Sequence, residues 1–356
     1  GVVNGCPSLL LEPQRTNLVT YSEDFTGGLI NCTVLRNQIL SPDGALNADK
    51  LSDDSSNGEH LINGNIIGSI VSGVDYTASV FFKSNNLNDK AVIRLWSGSS
   101  YIYSVFDLGT QQVYHNSIGT ASIEKYPNEW YRCSFSFTAS GNYTNSNFQV
   151  GIANNLNQFS YQGTSNLDIY FWGVQFEQGS YPTSYIPTNG TAVTRLADTA
   201  NGAGDATTFS DSEGVLMVEI AALANDSTNR FMSISDGTIA NRINIVFDTS
   251  NNINARQSPG SVNISTSGVN ILNSNKIAYE YQSGSQELWV NGFKIGTRSA
   301  STLPSGIDRL SFDSFNGGDI MYSKTKGIGY YNTVLTDLEL ETLTSYSSLS
   351  ELVTEL

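Results

Sequence analysis

The side chains able to do chemistry are few, and their spacing argues against catalysis. His60 and His115 are the only histidines in 356 residues. They fall in different expected elements, and no HExxH helix, GxSxG elbow or phosphate-cradling GxxxxGK[ST] loop occurs. Serine triads, zinc hydrolases and nucleotide hydrolases are therefore poor fits. Two-carboxylate hydrolysis of a glycosidic bond needs its acid and its partner carboxylate close together, as an ExDxxE run on one strand would supply. No such run is present. Glu339 and Glu341 come nearest, but they lie on an expected capped helix, where a solvated face accounts for them. Carboxylates from separate strands can meet in space, so this excludes a motif and not every site. The expectation is a chain without enzymatic activity.

Binding chemistry is better represented. Sugars present an apolar face fringed by hydroxyls, so their sites want exposed aromatic rings beside amides, carboxylates or guanidinium groups. The stretch from Arg94 through Trp96, Tyr101 and Tyr103 meets that description. Arg94 and Trp96 share a face of one strand, Tyr101 and Tyr103 a face of the next, and a closed hairpin would set them side by side. The alternative is that these aromatics form half of a sandwich core. Trp130 and Arg132 are weaker candidates, in a run that reads as structural. Around Asn291-Gly292 a two-residue type I′ hairpin is expected. Its register puts Leu288, Val290, Phe293 and Ile295 on the core face and sets Trp289 across from Lys294 on the outer face. There Trp289 is either covered by another element or subunit, or offered with Lys294 to a ligand. For calcium, Asp53, Asp54 and Glu59 cluster in one loop, and Asp313 and Asp319 flank Gly317-Gly318. Hard oxygen ligands in loops suit that ion, although EF-hand spacing is absent and a solvated acidic loop is the simpler reading.

The elements that must position these residues read as strands. Period-two runs recur at 45–51, 75–83, 91–96, 101–108, 112–115, 130–138, 147–152 and 168–176, with Gly, Asn and Ser at the breaks. In 130–138, Tyr131, Cys133, Phe135 and Phe137 alternate with Trp130, Arg132, Ser134 and Ser136, the pattern of a strand with one buried side. In 168–176, Ile169, Phe171 and Gly173 are expected on one face and Tyr170, Trp172, Val174 and Phe176 on the other. The second half repeats the grammar at 214–222, 230–235, 242–248, 277–282, 286–290, 293–298 and 309–312. Thr336-Asp337-Leu338-Glu339 then opens a capping box and one short helix to about residue 346, and Leu349, Leu352, Val353 and Leu356 follow at helical spacing, as a terminal amphipathic turn or the start of a coiled coil.

After Phe176 the chain dissolves into Gly179, Pro182 and Pro187, and from Thr188 almost no apolar bulk follows until Val215. The fold expected is all-β: two tandem antiparallel sandwiches, 1–188 and 205–346, joined by a linker 189–204 and followed by a tail 347–356. Eighteen basic against 33 acidic residues give a net charge of −15. That balance works against nucleic acid, suits solubility, and could serve a cation. No stretch is long and apolar enough for membrane insertion. The chain opens Gly-Val-Val-Asn-Gly, without Met or a signal-like segment, and is read as a processed piece of something longer. Cys6, Cys32 and Cys133 are an odd set without CxxC spacing; Cys133 is expected as a small buried hydrophobe, and one disulfide with a free thiol stays open. Five Asn-x-Ser/Thr sites, at Asn31, Asn142, Asn189, Asn225 and Asn263, matter only in a eukaryotic secretory host.

A resemblance is carried by an ordered series of motifs: CPSLLLEPQRTNLVTYSEDF, SPDGALNADKL, DYTASVFFK, NEWYRCSFSFTA and FWGVQFEQGSYPTSYIPTNGTAVTRLAD. Together they resemble a module of bacteriophage tail-fibre and tail-appendage proteins, itself similar to carbohydrate-binding jelly rolls, and cover most of residues 5–198. In the second half, ELWVNGFKIG followed by GIGYYNTVLTDLELETL is similar to laminin-G-like and concanavalin-A-like lectin domains. The resemblance implies a virion or extracellular adhesion part, often a homotrimer, with host cell-surface glycans and other virion tail proteins as partners. It transfers no particular ligand. The rival readings are a structural virion spacer that binds only virion proteins, and the accessory portion of a secreted polysaccharide-degrading enzyme.

Overall fold

Short runs of β-branched and aromatic residues, broken by Gly, Asn and Ser, form strands throughout the computed structural model, which describes residues 8–84, 90–96, 100–117, 119–154 and 157–345. One α-helix, Asp337–Thr344, stands among them. The architecture is all-β, two antiparallel sandwiches. Of the described residues, one unit comprises Gln14–Leu196, and the other 8–13 and 197–345.

In the first unit, one sheet runs in the order Gln112–Asn116, Tyr101–Asp107, Lys90–Trp96, Tyr143–Ala153, Asn57–Ile70 and Ser160–Gln162, with Gly28–Ile30 also paired to Asn57–Ile70. The other runs Thr120–Tyr126, Trp130–Thr138, Asp75–Ser84, Asp168–Gln178, Leu46–Asp53, Cys32–Leu40. Ile93, Leu95, Phe106, Phe148 and Val150 from the first sheet meet Val80, Phe82, Cys133, Phe135 and Phe176 from the second in one core. Cys133 is fully buried there, its thiol pushed well up by desolvation. Cys32 is buried and free as well, and Cys6 lies outside the described residues.

Two features differ from the sequence reading for identifiable reasons. The longest strand, Asn57–Ile70, goes unseen in the sequence because Gly58, Gly64 and Gly68 read as turn punctuation. Gly64 instead lies beneath the Phe25 ring, where an added Cβ would sit 2.0 Å from the ring. In Asp168–Gln178 the register shifts between Trp172 and Gln175, with Gly173 at φ +66°. That bulge resets the alternation. Val174 and Phe176 therefore rejoin Ile169 and Phe171 in the core, and Tyr170 and Trp172 pack outside with Phe81 and Trp130.

The quoted motifs fold onto one another. Asn17, fully buried, accepts from the N–H groups of Val19 and Phe176 and donates to the carbonyls of Val174 and Ile186. Glu177, also fully buried, accepts from the backbone and hydroxyl of Thr183, with Arg15 3.8 Å away. Buried polar groups demand such partners. These motifs are legible because they encode a fixed hydrogen-bond set.

The second unit pairs a sheet ordered Leu9–Leu11, Ser323–Tyr331, Glu213–Ala222, Asn275–Gln282, Ser285–Val290, Phe293–Arg298 with one ordered Asn201–Ala203, Arg309–Ser311, Arg230–Ser235, Arg242–Phe247, Ile253–Ser258, Val262–Thr266. The N-terminal apolar run thus belongs here and not to residues 1–188: Leu9–Leu11 pairs with Thr325 to Ser323, and Leu11 enters this core. Of the expected linker 189–204, Val193–Arg195 pairs with Arg15–Asn17 and Asn201–Ala203 with Arg309–Ser311. Short polar strands carry no apolar alternation, so neither was visible in the sequence.

The Asn291-Gly292 turn has φ of +51° and +83°, as a type I′ turn requires, and pairs Val290 with Phe293 and Trp289 with Lys294. Phe293 is nonetheless 73% exposed, because it lies on the edge strand of its sheet, where none of the described residues covers it. Past Lys294 a bulge at Ile295 brings Gly296 opposite Leu288. The helix forms at the expected capping box: Thr336 Oγ1 accepts from Glu339 N–H, and Glu339 accepts from Thr336 N–H. Its buried Leu340 packs with Val215, Ala278 and Trp289. Residues 346–356, including the amphipathic turn, lie outside the described residues.

Beneath that helix Glu280 faces Glu287 across two strands and is 5% exposed, accepting the Leu335 N–H. Burial raises its pKa above the ordinary glutamate value, the Leu335 N–H opposes, and the Glu287 charge adds. A raised carboxyl contributes stability that is full below the unfolded-state value of about 4.3 and is lost as pH rises through the folded value. Glu280→Gln is expected to flatten that fall and to raise stability at neutral pH, as read by thermal unfolding at a series of pH values. An unchanged pH profile would contradict the assignment.

Candidate functional site

The hairpin singled out in the sequence closes. Lys90–Trp96 pairs with Tyr101–Asp107 so that Arg94 faces Tyr103 and Trp96 faces Tyr101; residues 97–99 lie outside the described residues. The alternation sends Ile93, Leu95 and Phe106 into the inter-sheet core and turns Arg94, Trp96, Tyr101 and Tyr103 to the outer face, so these aromatics are not half of the core. The row continues across the sheet, Arg94 opposite Gln149 and Gln149 opposite Asn63.

A connected set of contacts fixes the face. Arg94 is 1% exposed, and its fork grips Glu59 at 2.8 and 2.9 Å. Its Nε donates to Gln149 Oε1, and Gln149 donates to Asn63 Oδ1 at 2.7 Å. The guanidinium lies 3.6 Å from the Tyr101 ring centroid and 5.0 Å from that of Phe159. Trp96 meets Tyr101 at 4.6 Å, and Tyr103 meets Phe159 at 4.8 Å. Tyr101 is 39% exposed and the Glu59 side chain 36%.

With all three guanidinium nitrogens donating to Glu59 and Gln149, Arg94 acts as a positioning residue for the Tyr101 ring and the Glu59 carboxylate. What the face can offer is the Tyr101 and Trp96 rings with a half-exposed acceptor beside them, suited to an apolar sugar face fringed by hydroxyls. Glu59 and Phe159 were not anticipated in this role. Sequence proximity groups Glu59 with the acids Asp53 and Asp54, but its place in the paired strand Asn57–Ile70 sets it beside Arg94.

The acids proposed for calcium do not converge. Asp53 is 3% exposed and spends its two oxygens on the N–H groups of Thr164 and Leu167, Asp54 accepts from Ser56 N–H, and Glu59 holds Arg94. Asp313 likewise accepts from the backbone of Phe315 and Gly317. Among the described residues no three His, Cys, Asp or Glu groups come together as a metal site. His60 is a fully buried structural residue, its ring nitrogens 2.6 Å from Asn31 O and 3.3 Å from Tyr161 O.

For Trp289 the covered alternative holds, and Lys294 is held in ion pairs. Trp289 faces outward as expected but is only 5% exposed, because the helix covers it. Lys294 Nζ bridges Glu287 at 2.8 Å and Asp337 at 3.2 Å, tying the hairpin to the helix. Trp130 and Arg132 are buried, Trp130 donating to Leu40 O and Arg132 to Ser79 Oγ. A second concavity, of about 400 Å³, lies in the other unit and includes Phe231, Arg242, Asn244 and Arg256. No local motif marks it, since its residues come from separate strands.

No family model matches the chain, and no curated protein does. Among solved structures it is similar to the "IT-sialidase CBM40" of Ruminococcus gnavus bound to α2,3 sialyllactose, with 17% identity over 41% of this chain and 94% of that one and a TM-score of 0.35. It is also similar to domains LG4-5 of the mouse laminin α1 chain, with 8% identity over 93% of this chain and 92% of that one and a TM-score of 0.29. Likenesses this remote assign no ligand.

Proposed function

We propose that this chain is a non-catalytic, glycan-binding adhesion part of a phage tail fibre or appendage, displayed on the virion or otherwise outside the cell. The observation that carries the binding reading is the outer face of the first unit, where buried Arg94 holds Tyr101 and Glu59 in place and leaves both partly open. A fixed ring and acceptor bind at lower entropic cost than free side chains, yet a face this shallow holds one sugar weakly. Useful adhesion then comes from repetition in a homotrimer, with other virion tail proteins holding the other end. The phage setting is supported by the motif series of residues 5–198.

Affinity electrophoresis through gels cast with soluble neutral host polysaccharides tests the reading. The wild-type chain is expected to be retarded in at least one gel, with calcium or chelator alike, and Trp96→Ala and Tyr101→Ala to migrate freely while keeping the wild-type far-UV spectrum. Equal retardation of all three would contradict it. If the chain instead binds only other virion proteins, no gel retards it, and the structural-spacer reading stands.

A further inference from the structure

The concavity of the second unit lies on the outer face of the sheet containing Arg230–Ser235, Arg242–Phe247, Ile253–Ser258 and Val262–Thr266. Met232, Ile234, Ile243, Ile245 and Ala255 point into the core, so alternation turns Ser233, Arg242, Asn244 and Arg256 outward. Register aligns Ser233, Asn244, Arg256 and Asn263 as one cross-strand row, with Arg242 opposite Ser258 in the next.

The two arginines distinguish this face. In a chain of net charge −15, neither has an acidic partner within 4.0 Å among the described residues. Among the described residues the Arg242 side chain donates only to Ser314 O, at 2.9 Å, and lies 4.8 Å over the Phe315 ring; the Arg256 side chain lies 5.6 Å over Phe231 and makes no hydrogen bond. Desolvation first, and then the Arg256 charge, lower the Arg242 pKa, so the guanidinium groups feel each other. Asn244 is 2% exposed with Oδ1 unpartnered, and Ser233 Oγ in the same row is fully buried and unpartnered. Unpaired buried polar atoms beside two uncompensated cations are costly on their own and match an anionic, polyhydroxylated ligand.

We propose that this pocket binds a carboxylate-bearing saccharide, a uronic-acid unit of an acidic polysaccharide. Arg256, with Arg242 near it, takes the carboxylate; Asn244 and Asn263 take hydroxyls; the Phe231 side chain meets the apolar sugar face. A volume of about 400 Å³ is within the range of small-ligand sites. The site stands independently of the aromatic face of the first unit.

The test is calorimetric titration of the full chain, made in a bacterial host so that Asn263 carries no glycan. The titrants are galacturonate, glucuronate and mannuronate tetrasaccharides, size-matched neutral and sulfated tetrasaccharides, and an oligoglutamate peptide. At least one uronate is expected to bind and the neutral sugar not to bind. Arg256→Ala should weaken binding on the order of tenfold to a hundredfold, Arg256→Lys by less, and Arg298→Ala, which removes an exposed charge of the same unit, not at all. Silence toward every uronate, equal binding of the neutral sugar, an unaffected Arg256→Ala chain, or equally tight sulfated or peptide ligands would overturn the proposal. The comparison of wild-type ligands decides it even if an arginine variant fails to fold.

Discussion

Trp289→Ala is expected to destabilise the second unit by about 3–5 kcal/mol while leaving glycan binding unchanged. The indole is 5% exposed and fills the space between Val215, Ala278 and Leu340 of the helix. Truncation removes that packing and opens a cavity that the two paired strands beneath cannot close. It also frees the contact of Lys294, which lies 5.6 Å from the ring while bridging Glu287 and Asp337. Urea unfolding of the full chain reads the loss as a lowered midpoint. A change below about 1 kcal/mol, or loss of glycan binding in a folded variant, would return Trp289 to the surface as a ligand platform.

Arg94→Ala is expected to cost the first unit about 2–3 kcal/mol and to abolish binding at its outer face. Breaking a buried ion pair is worth about 3–5 kcal/mol, but the Glu59 side chain is 36% exposed and regains water, which lowers the figure. Buried Gln149 loses its donor, and Tyr101 loses the cation 3.6 Å behind its ring. Arg94→Lys should not restore the face, since an ammonium cannot reproduce the two-pronged grip on Glu59. If Arg94→Lys binds as the wild type does, the guanidinium is not what positions Tyr101. A double-mutant cycle with Glu59→Gln separates the pair's coupling from the packing loss.

Strands with a clean alternation and Gly or Asn at their ends were legible, and Trp130–Thr138 and Arg230–Ser235 lie where the sequence puts them. So was the helix, because a capping box is a local hydrogen-bond pattern written in four residues. What escaped was set by tertiary contact. Asn57–Ile70 hides behind glycines that serve close packing, and the Gly173 bulge reverses faces halfway along a strand. Phe293 has the right register but no covering layer among the described residues.

The candidate site was half legible for the same reason. Strand pairing set Trp96, Tyr101 and Tyr103 together on one face, which period two can foresee. It also buried Arg94 against Glu59, and Glu59 is 35 residues away in the chain. Asp53 and Asp54 looked like calcium ligands because composition does not reveal whether a carboxylate already holds backbone N–H groups. The arginines of the second pocket come from neighbouring strands, and nothing local marks them as uncompensated.

An array of neutral glycans probed with the wild-type chain, Tyr101→Ala and Trp289→Ala side by side tests the central claim most directly. The account predicts that the wild type and Trp289→Ala light the same glycan class and that Tyr101→Ala, folded, loses it. Retention by Tyr101→Ala, or silence of the wild type on both the array and intact candidate host cells, would contradict an adhesion site on the Arg94–Tyr101 face.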